Sequence, residues 1–364
     1  MLDRVSDLVR QESPTSNPDA VDAAREIVAD WVEELGGQVK RHARNGNGGI
    51  LESRFGNPQD ERKPVLLLGH LDTVWPIGTL ARMPWRVEDG WAYGPGVLDM
   101  KAGVVMALTA MKLVREMDAD RPVVLLLSGD EETGSRHSRE LIETIAKECR
   151  AVFVLEPAQG QHGAYKTARK GVGQFRLEIT GVPSHSGVDF CAGHSAVREL
   201  AWQVEQISAL TDLERGTTLN VGVVGGGTQP NVVPAAAWAE IDVRVKTLVD
   251  AEAVTRRLQA LKPRDPHCSL RLTGGMNRPP MERTEGTAEL FAQAKKLAAG
   301  LGFALDEAAT GGGSDGNFTS ALGIPTLDGM GAVGKGAHAE DESIRIDSLV
   351  TRTALLAAVI ATTA

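Results

Sequence analysis

Three short apolar runs, each ending in a cluster of polar residues, constrain the fold of this 364-residue chain more than any other feature. Val65-Leu-Leu-Leu68 leads into Gly69-His-Leu-Asp72, Val123 to Leu127 into Ser128-Gly-Asp-Glu-Glu132, and Val152-Phe-Val-Leu155 into Glu156-Pro157. Runs that are apolar throughout, without alternation, suit strands covered on both faces. Between the first two, Val104, Ala107, Leu108, Met111 and Val114 recur at helical spacing within 101–115. Strand and helix thus alternate, and the expected fold is α/β with a central, mostly parallel sheet flanked by helices. Such sheets gather ligands beyond the carboxyl ends of their strands, where all three polar clusters fall.

The texture changes after about residue 168. Gln174 to Ile179 and Ala237 to Val245 alternate with period two, as half-exposed antiparallel strands do, and flank a helical stretch over 195–210. A helical pattern returns from Thr287, and a final helix is expected from Ser348. Residues 1–36 also read as helical, with Val5, Leu8 and Val9, then Ala23, Ile27, Trp31, Val32 and Leu35, before Gly36-Gly37 stops the pattern. At 364 residues the chain exceeds the usual size of one domain. The simplest organisation is a domain of residues 1–167 and 281–364, interrupted by an inserted α+β domain over 168–280.

Composition removes several function classes. A net charge of −9 without a basic stripe excludes a nucleic-acid partner. No stretch approaches the ~20 apolar residues of a membrane span, and the N-terminal segment lacks the apolar core of a signal peptide, so no membrane partner and a cytoplasmic location are expected. Cys149, Cys191 and Cys268 lie far apart, which supports neither a disulfide framework nor a thiolate zinc site. The 40 glycines exceed the roughly 25 of average usage, and the surplus sits beside His and acidic residues, where backbone must turn tightly.

Taken singly, the polar residues at the strand ends have bland explanations. His70 and Asp72 share one face of an extended segment and could form a local hydrogen bond. Asp99, after Gly94-Pro-Gly96, could cap the following helix. Glu131 and Glu132 could be a solvated turn, and His338 a loop histidine. Glu156, ending an apolar strand, is harder to dismiss, because buried acids need partners. Together, Asp72, Asp99, Glu131, Glu132 and Glu156 put five carboxylates at one sheet edge with few basic neighbours. Two divalent cations would neutralise four of those charges, and imidazole plus carboxylate ligands suit zinc, with cobalt or manganese as substitutes.

Eight segments, in order, carry a resemblance: GHLDTV (69–74), AYGPGVLDMKAG (92–103), GDEETGS (129–135), LEPA (155–158), GVPSHSG (181–187), DVRV (242–245), TGGGSD (310–315) and GAHAEDE (336–342). Together they resemble the dinuclear zinc carboxypeptidase and deacylase family, which includes glutamate carboxypeptidases, acetylornithine deacetylases and succinyl-diaminopimelate desuccinylases. The pairing of segment 69–96 with TGGGSD is most similar to the glutamate carboxypeptidases. The resemblance implies two Zn2+ per subunit, one held by His70, Asp99 and Glu156, the other by Asp99, Glu132 and His338, with Asp99 bridging. It implies Asp72 as the residue orienting His70, Glu131 as general base, and a cis peptide after Asp99.

The resemblance extends to the inserted domain, expected to serve as lid and dimerisation domain of a homodimer. There it implies His185 as the donor to the tetrahedral oxyanion, often from the neighbouring subunit, and Arg244 as the grip on a substrate carboxylate. Asn220 and the amides of Gly311, Gly312 and Gly313 are further candidates for that carboxylate. The implied substrate is a small dipeptide or N-acyl amino acid. The expected activity is release of C-terminal glutamate or a similar residue, with an N-acyl amino acid deacylase as the alternative. A relative that had lost catalysis would show a damaged motif, whereas all seven ligand, base and orienting residues are present. Two departures bear on pocket shape: Ala102, where a second glycine is usual, and His194, where asparagine is frequent.

Overall fold

The computed structural model describes residues 1–43, 46–117, 119 and 121–363. They form two compact units. One comprises Met1–Ala168, Glu282–Thr310 and Ser314–Ala364, the other Arg169–Met281 with Gly311–Gly313.

The first unit is built on a six-stranded sheet in the order Gln38–His42, Ile50–Phe55, Val123–Ser128, Val65–His70, Ala151–Val154, Thr326–Leu327. The last four strands are parallel, and the first two join antiparallel. Why the apolar runs are continuous follows from their two faces. Leu67, Leu125 and Phe153 point into a core shared with the helices Pro18–Glu34, Ala102–Glu116, Glu285–Gly300 and Ile346–Thr362. Their neighbours Leu66, Leu68, Val124, Leu126, Val152 and Val154 pack on the opposite face against Ile142, Ile145 and Ala146 of the helix Arg139–Glu148. At about 1.5–3 kcal/mol per fully buried Leu, Val or Phe side chain, both faces favour this arrangement over an exposed sheet.

The N-terminal segment departs from the single helical reading. Leu2–Arg10 and Pro18–Glu34 are separate helices. Pro14 cannot continue a helix, and Asn17 caps the second by accepting the Ala20 N–H, with Pro18 at its first position. The buried face of the second helix is Val21, Ala24, Val28, Ala29 and Val32; Ala23 is exposed.

A small antiparallel sheet, Gly334–Lys335, Ser343–Arg345, Trp91–Tyr93 and Arg86–Glu88, also belongs to the first unit, as does the strand pair Glu307–Thr310 and Tyr165–Arg169 apart from its last residue, Arg169. Its register, Ser343 opposite Tyr93 and Ile344 opposite Ala92, sets the loop 336–342 beside the segment following Tyr93. Asp99–Met100 is a cis peptide. Ala102 is fully buried, and the close backbone approach falls on Gly103, where a Cβ would lie 2.1 Å from the Leu155 carbonyl oxygen. The alanine therefore occupies the position that tolerates a methyl.

The inserted unit is a four-stranded antiparallel sheet in the order Thr218–Gly226, Ala236–Val245, Gly171–Thr180, Ser269–Arg278. Phe175, Leu177, Ile179, Ala239, Ile241 and Val243 form its core with the helices Ala196–Ser208 and Leu248–Gln259. The alternate residues, among them Arg176, Glu240, Asp242 and Arg244, occupy the opposite face.

Candidate metal centre

Register explains why distant carboxylates converge. Leu68 pairs with Val154 and His70 with Ser128, so His70 and the residues just past each neighbouring strand emerge at one end of the sheet. His70 Nε2 lies 3.3 Å from Asp99 Oδ1 and 3.5 Å from Glu156 Oε1. His338 Nε2 lies 3.3 Å from Asp99 Oδ2 and 3.3 Å from Glu132 Oε2. Each trio offers ligand atoms that all lie within 4.8 Å of one another. The two trios share Asp99, one oxygen to each.

Three atoms test whether metal ions suit these residues. His70 Nε2, Asp99 Oδ1 and Glu132 Oε1 are buried and make no hydrogen bond. An unsatisfied buried polar atom costs about 1–3 kcal/mol, more when charged, and cations held by the two trios would remove that cost. The residues present therefore fit divalent ions. Their protonation is strongly perturbed. Burial pulls His70 down, but Asp72, Asp99 and Glu156 outweigh it and raise it well above the ordinary imidazole value. Hydrogen bonds with Asp99 and Glu132 push His338 up to about 10. Burial raises Asp99, and the two imidazoles reverse that and hold it lowered; burial leaves Glu132 raised. A proton and a metal ion thus compete for the same nitrogens.

Asp72, fully buried, serves more elements than His70. His70 Nδ1 donates to the Asp72 main-chain carbonyl at 2.9 Å, closer than the Asp72 carboxylate at 3.4 Å, and this turns Nε2 toward Asp99 and Glu156. The Asp72 carboxylate instead accepts the Glu131 N–H and the Glu132 N–H, both at 3.2 Å, and the Thr15 hydroxyl at 2.7 Å. Glu131 and Glu132 open a short 3-10 turn, and its far side is tied by the hydroxyls of Ser128 and Ser135, which donate to Asp315. Thr15 belongs to the helix break that Pro14 imposes. Sequence reasoning missed it by reading one helix across that proline.

In the inserted unit, His185 Nδ1 accepts the N–H groups of Gly187 and Val188 at 3.1 and 3.2 Å. That nitrogen is therefore unprotonated, and Nε2 carries the ring proton. Arg244 donates in bidentate fashion to Asp242, at 2.8 and 2.9 Å, and through Nη1 to the Gly311 carbonyl at 3.4 Å. Asn220 lies opposite Asp242 in the ladder. The Gly312 and Gly313 carbonyls accept from Arg169 Nη1. The carbonyls of Gly311, Gly312 and Gly313 thus engage arginines. His194 hydrogen-bonds Asp265 at 2.8 Å and stacks on His267.

A sequence profile of Peptidase family M20/M25/M40 matches residues 66–362. The chain belongs to this family. Its M20 relatives include carboxypeptidase G2 of Pseudomonas sp. (strain RS-16), 29% identical over 362 residues that cover 96% of this chain and 86% of the relative. A succinyl-diaminopimelate desuccinylase of Cereibacter sphaeroides (strain KD131) is also 29% identical, covering 94% and 93% of the two chains. Among solved structures, the aminopeptidase PepT of Bacillus cereus shares the fold with a TM-score of 0.83 at 22% identity, over 100% of this chain and 97% of its own. The YXEP protein of Bacillus subtilis, described as a dinuclear metal binding peptidase from the M20 family, superposes with a TM-score of 0.74 at 15% identity, over 99% and 96%. This M20 chain is a metal-dependent peptidase or amidohydrolase. Among the described residues, no helix is long and apolar enough to cross a membrane.

Proposed function

We propose that the chain is a dinuclear zinc hydrolase that cleaves an amide bond next to a carboxylate, releasing C-terminal glutamate or a similar residue from a small peptide or conjugate. The observation that carries this reading is the division of Asp99 between two ligand trios, Oδ1 toward His70 and Oδ2 toward His338. His70, Asp99 and Glu156 hold one ion, and Asp99, Glu132 and His338 the other; this mixed nitrogen and oxygen donor set suits zinc, with cobalt or manganese as substitutes. Bound there, the ions polarise the scissile carbonyl and acidify water.

The chain's own groups do the rest. Glu131 takes the proton of the attacking water and returns it to the leaving nitrogen. Glu132, its neighbour, faces His338, and the clamp of both amides on Asp72 holds the backbone that carries the two carboxylates. His185 stabilises the developing oxyanion with a hydrogen bond from its Nε2–H. Arg244 grips the substrate carboxylate, with Asn220 beside it; Asp242 holds the guanidinium plane in place through a bidentate pair. The unit over 169–281 acts as lid and as dimerisation domain of a homodimer. Its outer strand Thr218–Gly226 leaves one edge unpaired among the described residues and exposes Val223 and Val224, the kind of edge that pairs with another chain. The cytoplasm is the proposed location.

The equal identity to a desuccinylase supports a second reading, an N-acyl amino acid deacylase using the same residues. A hydrolysis screen of the zinc-loaded protein separates them. Dipeptides and acylated substrates ending in glutamate are expected to turn over faster than N-succinyl or N-acetyl diamino acids. The reverse order replaces the first reading by the second. No hydrolysis of either set by protein shown to hold two zinc ions would overturn both.

A further inference from the structure

Glu342 is a charged side chain with 1% exposure in a loop that is otherwise mostly exposed. Its carboxylate collects four donors. Oε2 accepts the Trp75 indole N–H at 2.7 Å and the Gly96 N–H at 2.8 Å, and Oε1 accepts the Leu98 N–H at 2.9 Å and the Asp99 N–H at 3.1 Å. Three of the four are main-chain groups of the segment that ends on Asp99, and the intervening Val97 N–H donates instead to the Gly94 carbonyl. They converge because Gly96 adopts a left-handed φ of +70°, which turns its N–H toward the same point as those of Leu98 and Asp99. A side chain at Gly96 would lie 2.6 Å from the Thr73 methyl, so the turn admits only glycine.

Glu342 stands four residues after His338 on the loop between Gly334–Lys335 and Ser343–Arg345. One carboxylate therefore ties the loop carrying His338 to the loop carrying Asp99. The other trio has its own support, since His70 ends a strand of the central sheet and Glu156 follows its neighbour.

We propose that Glu342 is a positioning residue for one metal site of the pair, setting the separation of Asp99 and His338 and hence the affinity of the Asp99–Glu132–His338 trio. The proposal rests on the two-metal reading above and assigns to Glu342 no contact with metal or substrate. Exchanging this carboxylate for an amide puts an N–H2 against N–H donors and leaves one oxygen for four of them. Residues that orient metal ligands commonly change affinity 10–100-fold when altered, and here the larger change falls on the site that includes His338, because Asp99 serves both sites while His70 and Glu156 have their own support.

The test is zinc titration of the chelator-stripped, full-length protein against a competing chromogenic chelator, for the wild type and Glu342→Gln. The wild type binds two ions. In Glu342→Gln one of the two constants is expected to weaken at least about tenfold while the other stays within about threefold, a change in the ratio of the two constants that general destabilisation does not produce. Both constants unchanged, or both weakened equally, would overturn the assignment. If Glu342→Gln does not fold, Trp75→Phe removes one donor and keeps the carboxylate. A selective weakening of several-fold supports the role, and unchanged constants overturn it. A wild type that binds fewer than two zinc ions refutes the dinuclear reading itself, so the two failures are distinguishable.

Discussion

Two adjacent glutamates with different tasks present a problem of backbone geometry before one of chemistry. Glu132 faces His338, and both amides of the pair are held on Asp72. Glu131→Gln keeps size and backbone contacts and removes only the base. Turnover is expected to fall by about 10²-fold or more with two zinc ions still bound, as steady-state kinetics and elemental analysis would show; wild-type turnover would remove Glu131 from the base role. His338→Ala, by contrast, is expected to lose one zinc per chain, because it leaves the second trio with carboxylates alone; unchanged stoichiometry would take His338 off the ligand set. Thr15 tests the support behind them. Thr15→Val preserves shape but deletes the 2.7 Å bond to Asp72, with an expected loss of about 1 kcal/mol in urea unfolding. Of these residues Glu156 is the most legible in sequence, since an acid closing an apolar strand demands a partner. Glu342 is as deeply buried, yet it lies in a glycine-rich loop with no periodicity to reveal burial, and its partners are main-chain groups that leave no mark in the sequence.

Elements were legible where burial has a period and illegible where a cap or a break decides. The central strands announce themselves because each residue must satisfy a face. The N-terminal helix pair does not, because the helical spacing of Val5, Leu8 and Val9 is followed by a second helical pattern beyond Pro14, so the periodicity reads as one helix across the break. The strand Ile50–Phe55, paired on both sides in the central sheet, hides a different feature. Glu52, on Ile50–Phe55, is 4% exposed and meets Arg54 at 2.8 Å, His42 at 2.8 Å and Lys40 at 3.4 Å. Burial raises its carboxyl, and the hydrogen bonds of Arg54 and His42 more than reverse that, leaving it below the ordinary 4.5. A group lowered in the folded state contributes stability that is fully present above its unfolded value and is lost as pH falls through its folded value. Glu52→Gln is therefore expected to be less stable than wild type at pH 7, by about 1 kcal/mol, with the gap closing on acidification below pH 4.5. Urea midpoints measured across that range decide it; a gap independent of pH would mean that packing, not charge, is what the substitution removes.

At the scale of the whole molecule, the chain divides its proposed chemistry between two compact units, and the inserted one has an open sheet edge. The period-two alternation over 174–179 and 237–245 makes that unit legible in sequence, but periodicity records only which face is buried and never what pairs with an edge. Whether His185 serves its own chain or a partner is thus a question of assembly, and mixing inactive variants answers it. Glu131→Ala chains keep His185 but lack the base, and His185→Ala chains keep the base but lack the oxyanion donor. If His185 acts across a two-fold interface, every mixed dimer regains one intact site, formed by the base of one chain and the imidazole of the other. With random exchange half of the dimers are mixed, each with one of two sites restored, so activity should return to roughly a quarter of the wild-type level. Subunit exchange must first be shown with differently tagged chains. Exchange without recovery would assign His185 to its own chain's site or remove it from catalysis.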